Sequence, residues 1–188
     1  MNPGSKKLLR YGFVVLIALA AWVAFLPAVY ARAEIFTWDS AAYIDCARSI
    51  LAGRGFMQRV IDGFGPEIWQ PIVWWPPGYP LLIAAVASLG IDVLSAGVLV
   101  AIVSAAMAVA LFCGIALRLF HWSIALPLTL GIAVMPAFLQ ISVTCMSDAS
   151  YFALAAGSTL LLLHWSQGEG NSLRPLLVAG LLVGWSWG

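Results

Sequence analysis

Two aspartates carry most of the chemistry that this sequence offers. Asp39 lies in Thr37-Trp-Asp-Ser-Ala-Ala-Tyr43 and Asp148 in Thr144-Cys-Met-Ser-Asp-Ala-Ser-Tyr151, each at the predicted start of a helix. A carboxylate there stays ionised, because the helix dipole and the free N–H groups of the first turn favour the anion. Near a bilayer surface, such a carboxylate can take a proton from an acceptor hydroxyl. Asp39 is thus a candidate general base. Asp148 is a candidate to orient the acceptor or to share charge with Asp39. Both positions equally suit helix caps, Thr37, Asp39 or Ser40 for the first helix and Ser147 or Asp148 for the second.

Other residues could hold a substrate. Arg48, Arg54 and Arg59 carry forked guanidinium groups that match phosphate oxygens, and lipid headgroups offer the same oxygens. Trp38, Trp69, Trp74, Trp75 and Tyr79 could stack on a sugar or a polyprenyl chain, or could form an aromatic belt at a membrane interface. His121 and His164 read as boundary residues. Cys46, Cys113 and Cys145 show no metal or redox spacing. Cys113 falls inside an apolar run, and only Cys46 and Cys145 could share an outer compartment. The sequence has no phosphate-cradling glycine loop, no HExxH, no cysteine pair and no nucleophile elbow. It therefore predicts no metal and no cofactor, and a soluble nucleotide-sugar site is unsupported.

The elements that must position these residues are apolar. The chain is 63% hydrophobic and 9% charged, against roughly 45–50% and about 25% in soluble domains. A net charge of +1 gives no reason to expect a nucleic-acid partner. The runs 11–31, 93–117, 119–147 and 149–168 lack Lys, Arg, Asp and Glu. Each is long enough to cross a bilayer, for which about 20 residues suffice. These runs predict an all-α fold, a polytopic transmembrane bundle of about four full spans. The run 176–188 is too short to finish a crossing, so it predicts a fifth span cut short by a C-terminal truncation. The whole of 1–188 reads as one membrane domain.

Lys6, Lys7 and Arg10 before the first run predict a cytoplasmic N-terminus. Ala31-Arg32-Ala33 resembles a cleavage site, but the preceding run exceeds a signal-peptide core and reads as an anchor. The segment 32–92 then forms a large outer loop with two interfacial helices. The first, about 40–52, has its apolar stripe at Tyr43, Ala47, Ile50 and Leu51, and Gly53 stops it. Gly63, Gly65, Pro66 and Pro71 mark loop. The second helix, about 81–90, is too short to cross. That keeps Asp92 outside, returns Arg118 and His121 to the cytoplasm, and places Asp148 in the same outer compartment as Asp39.

The order of these motifs resembles a known family. Trp38-Asp39-Ser-Ala-Ala-Tyr43, then Ala47 and Leu51-Ala-Gly53-Arg-Gly55-Phe56, then Trp75-Pro-Pro-Gly-Tyr-Pro80-Leu-Leu and Met146-Ser-Asp148-Ala are similar to the N-terminal part of the GT-C-fold membrane glycosyltransferases. Those include protein O-mannosyltransferases and the lipid A aminoarabinose transferase. The likeness covers nearly all of this chain but only about the first third of such an enzyme. It implies a polyprenyl-phosphate-linked sugar donor and a lipid, glycan or protein acceptor. It also implies transfer with inversion on the periplasmic face of the bacterial inner membrane. Asp39 matches the family's first acidic position, taken as the catalytic base, and Asp148 its second. Tyr43, Arg48, Arg54, Arg59, Trp75 and Tyr79 are the substrate-binding candidates. Many relatives carry an acid where this chain has Ser40. The alternatives are a transporter-like membrane protein, against which no run carries a mid-membrane charge, and a non-catalytic remnant.

Overall fold

The structure, a computed structural model, describes residues 12, 16, 37–61, 67–167 and 177–181. Most of the predicted 11–31 span, the candidate cleavage site and most of 176–188 lie outside the described residues.

Helix α1 (Trp38–Leu51) begins and ends on local signals. Thr37 has an extended backbone and its Oγ1 accepts from the Ser40 N–H at 3.1 Å, satisfying one of the first-turn donors. At the other end Gly53 takes φ +70°. Its N–H donates to the Ile50 carbonyl, and the Arg54 N–H reaches back to that of Ser49 at 2.9 Å. This paired arrangement closes the helix and turns the chain sharply.

An antiparallel hairpin follows, β1 (Met57–Ile61) with β2 (Glu67–Pro71), with Arg59 opposite Trp69 and Gln58 opposite Gln70. The expectation of an all-α chain is therefore corrected. Five-residue strands are too short for a period-two pattern to stand out beside a Gly/Pro-rich stretch of sequence. Next come α2 (Gly78–Ala87), which starts three residues earlier than the predicted second helix, and α3 (Val93–Leu119). Asp92 caps α3, accepting from the Leu94 and Ser95 N–H groups at 3.1 and 3.2 Å. The remaining helices are α4 (Trp122–Ala133), α5 (Pro136–Val143) and α6 (Asp148–Ser166).

Among the described residues the polytopic bundle of about four full spans does not hold. Among the described residues one helix, α3, is long and apolar enough to cross a membrane. Its 27 residues extend about 40 Å, against a hydrocarbon core of about 30 Å. The run 119–147 is two helices bent by 59°, and counts as a second span only if that bent pair is taken as one. The physical cause is proline. Pro136 occupies the first turn of α5, where its missing N–H costs nothing, and Pro127 sits inside α4. In α6, Asp148, Ser150, Ser158, Thr159 and His164 dilute the apolar residues, and it does not qualify. At 10 residues, α2 extends about 15 Å, too short to cross.

The two predicted interfacial helices are corrected in their surroundings. Helix α1 buries Ser40, Tyr43, Ile44, Asp45, Cys46, Ala47 and Ser49, far more than one stripe. It packs with α2, the hairpin and α3. Tyr43, Ile44, Ile83, Ala96 and Cys145 belong to the core that joins α1 and α2 to α3. A second core, with Ala105, Val109, Val143 and Ala153, joins α3 to α4, α5 and α6. Helices α3 and α6 run parallel. Gly97 touches Cys145, Ser104 Oγ is 2.8 Å from Ser150 Oγ, and Arg118 donates to Gln167 Oε1 at 2.9 Å. This parallel packing brings the start of α6 beside α1.

Candidate functional site

Asp39 and Tyr43 are four residues apart on α1 and so share a helix face. The Tyr43 phenol oxygen lies 2.9 Å from Ser147 Oγ. Ser147 stands at the N-cap position of α6 without a side-chain capping bond, and Asp148 follows it as the first residue of that helix. The chain Asp39, Tyr43, Ser147, Asp148 thus joins two helix starts that are far apart in sequence. Both carboxylates act on the phenol. Burial chiefly raises the Tyr43 pKa, the Ser147 bond partly offsets this, and the charges of Asp39 and Asp148 raise it further. The phenol therefore keeps its proton at neutral pH. Asp39 and Asp148 are each partly exposed.

A small cleft opens beside Asp148. It has a volume of about 160 Å³ and is lined by Pro76, Gly78, Tyr79, Leu82, Ser147, Asp148, Ser150, Tyr151 and Leu154. Asp39 and Tyr43 are not among its lining residues. Tyr43 is 3% exposed, so it forms the support between the carboxylates and is not an open stacking surface. Tyr79 is equally buried and donates to the Gly97 carbonyl at 3.3 Å while lining the cleft. It meets the Tyr43 ring edge-on at 5.0 Å between centroids, and Trp75 meets the same ring edge-on at 6.4 Å. Such edge contacts hold a ring in place. Burial raises the Tyr79 pKa and, next to it, lifts the Cys145 thiol to about 11. Cys46, Cys113 and Cys145 are all free thiols.

The arginines gather elsewhere. Arg48, Arg54 and Arg59 line a hollow of about 260 Å³ with Trp69. Arg59 grips Asp45 with two parallel hydrogen bonds, Nε to Oδ2 at 3.2 Å and Nη2 to Oδ1 at 3.0 Å. Arg48 pairs with the same carboxylate at 3.6 Å. Arg54 lies over the Trp69 ring, 4.8 Å from its centroid. Asp45 was not singled out as a site residue from sequence, although its spacing of three from Arg48 on one helix was visible. Of the other aromatics, Trp38 and Trp74 are 92% and 82% exposed, as an interfacial belt requires.

Two further features frame these sites. An apolar cavity of about 480 Å³ lies between α3, α4, α5 and α6, lined by Val109, Phe112, Ile132, Phe138, Phe152 and Thr159, among others. Its two threonine hydroxyls are satisfied by their own helix carbonyls, those of Ala125 and Ala155. At the far end of α3, Arg118 bonds Gln167 and approaches His164 Nδ1 at 3.3 Å, and His121 precedes α4. Among the described residues, no group of three or more His, Cys, Asp or Glu could hold a metal ion. No family model, curated protein or solved structure matches the chain.

Proposed function

We propose that this chain takes part in glycosyl transfer, moving a sugar from a polyprenyl-phosphate donor to a lipid, glycan or protein acceptor. The observation that carries this reading is the Tyr43–Ser147 bond, which brings the helix starts bearing Asp39 and Asp148 to one place. Asp39 is the base that takes the acceptor proton. The acceptor oxygen then forms a bond to the anomeric carbon from the face opposite the leaving group. The bond from that carbon to the phosphate oxygen breaks, and polyprenyl phosphate leaves with the electron pair. The sugar configuration inverts. Asp148, with Ser147, Ser150 and Tyr151 around the cleft, orients hydroxyls of the reacting sugar. The donor class rests on the sequence resemblance, and the apolar cavity along α6 suits a prenyl chain.

Helix α3 supplies the membrane association. With Asp92 at its outer end and Arg118 at its cytoplasmic end, it follows the positive-inside tendency. On this reading the carboxylates face the periplasm across a bacterial inner membrane and the N-terminus is cytoplasmic. The test uses membranes containing the chain, supplied with labelled polyprenyl-phosphate sugar. Asp39→Asn is expected to lower transfer by about 10²–10⁴-fold, the usual contribution of a positioned base. Transfer at the unmodified rate would reject the reading.

A further inference from the structure

We propose that Arg48, Arg54 and Arg59, gathered around Trp69, form a phosphate-binding site separate from the carboxylate cleft. The first argument is distance. Asp39 and Arg48 are nine residues apart on α1, about 14 Å along its axis. A phosphate that leaves during transfer is bonded to the reacting carbon, and reacting atoms must approach to about 3–3.5 Å. The three arginines gather at the opposite end of α1 from Asp39, where Arg48 and Arg59 are held at Asp45. No residue lines both the hollow and the cleft.

The second argument is construction. Three arginines converge on this hollow, and two of them share the Asp45 carboxylate. Asp45 is 8% exposed and fixes two of the guanidinium groups, so little side-chain freedom remains to be lost on binding. Arg54 is delivered by the chain reversal between Gly53 and Gly55, both at positive φ, +70° and +80°. Stacking on Trp69 occupies the face of its guanidinium. The N–H groups lie in the guanidinium plane, where a planar fork meets phosphate oxygens. The guanidinium-bearing side chains of Arg48 and Arg59 are still 49% and 37% exposed. A phosphate group suits the forked geometry of these guanidinium groups. It can come from a lipid headgroup or from free solution.

The experiment uses the full chain in nanodiscs of phosphatidylcholine, alone or with phosphatidic acid, and in detergent with inorganic phosphate. Lipid retention is read by native mass spectrometry and phosphate binding by calorimetry at fixed ionic strength. Retention of phosphatidic acid alone assigns the site to a headgroup, and binding of both probes assigns it to phosphate from either source. In either case Arg54→Gln is expected to weaken binding about tenfold or more, the loss of at least one charge-assisted hydrogen bond. Arg54→Lys is expected to recover only part, and Asp39→Asn to change nothing. Arg54 makes no ion pair with Asp45, so its replacement leaves that pair in place. Binding of neither probe, or binding unaltered in Arg54→Gln, would overturn the proposal. Because this readout needs no sugar transfer, it stands or falls apart from the proposed activity.

Discussion

The phenol of Tyr43 and the hydroxyl of Ser147, 2.9 Å apart, form a polar link between α1 and the start of α6. The bond is partly buried and joins the two helix starts that carry Asp39 and Asp148. Removing it should therefore change both stability and the alignment of the carboxylates.

Tyr43→Phe keeps the ring against Tyr79 and Trp75 and deletes only the oxygen. The expected loss is about 1 kcal/mol, or about 2–4 °C in Tm. Ser147→Ala should cost a similar amount. The double variant should cost clearly less than the sum, because each single change already breaks the same bond. Additive effects in thermal unfolding would show that the two groups do not interact in solution.

Gly97 presents a packing test. A Cβ there would overlap Cys145 Sγ, and the Gly97 carbonyl also accepts from Tyr79. Gly97→Ala is expected to destabilise by about 1–3 kcal/mol, the usual cost of overpacking a tight core. Adding Cys145→Ala should restore much of that loss by vacating the same volume. Denaturant unfolding of the three variants measures both numbers.

These contacts show what could be read from the chain and what could not. Gly53 marked the end of α1, and Thr37 was one of three candidate caps with Asp39 and Ser40, because capping and the left-handed stop are local chemistry. Most of Val93–Leu119 was legible because nothing charged interrupts the run 93–117. Run 119–147 misled for the same reason, since absence of charge says nothing about Pro136, which ends one helix and begins another. The hairpin hid behind Gly63, Gly65 and Pro66, which announce a turn but not the short strands beside it. The pairing of Asp39 with Asp148 was reached through a compartment argument. Their link through Tyr43 depends on the parallel packing of α3 and α6, which no local pattern encodes. Asp45 was missed as an anchor because its partner Arg59 lies across a chain reversal.

Buried thiols set a response to alkaline pH. Burial raises Cys46 and Cys145 from 9.0 to about 11. The folded chain therefore holds these protons more tightly than the unfolded chain. Their contribution is fully present below pH 9.0 and is lost as pH rises through about 11. Within that window each thiol adds a downward slope of about 1.4 kcal/mol per pH unit. Tyr79 and Tyr43, also raised by burial, extend the loss to higher pH. Unfolding free energies measured across the window should fall less steeply in Cys46→Ala and Cys145→Ala. An unchanged slope in the doubly substituted chain would mean that the thiols are not its source.

Gly53 sets where Arg54 goes. Its φ of +70° lies in the left-handed region, and a Cβ there meets no neighbour within 4 Å. The cost of Gly53→Ala is therefore backbone strain alone, about 1–2 kcal/mol. Thermal unfolding should register it as a Tm lower by several degrees. The strain acts on the N–H groups of Gly53 and Arg54, which close α1 onto Ile50 and Ser49. If the chain relaxes by opening that closure, Arg54 leaves the Trp69 ring. Protection of the Arg54 amide from hydrogen exchange should then fall together with Tm. A Tm loss with undiminished protection would show that the reversal holds and that the strain is absorbed elsewhere in α1.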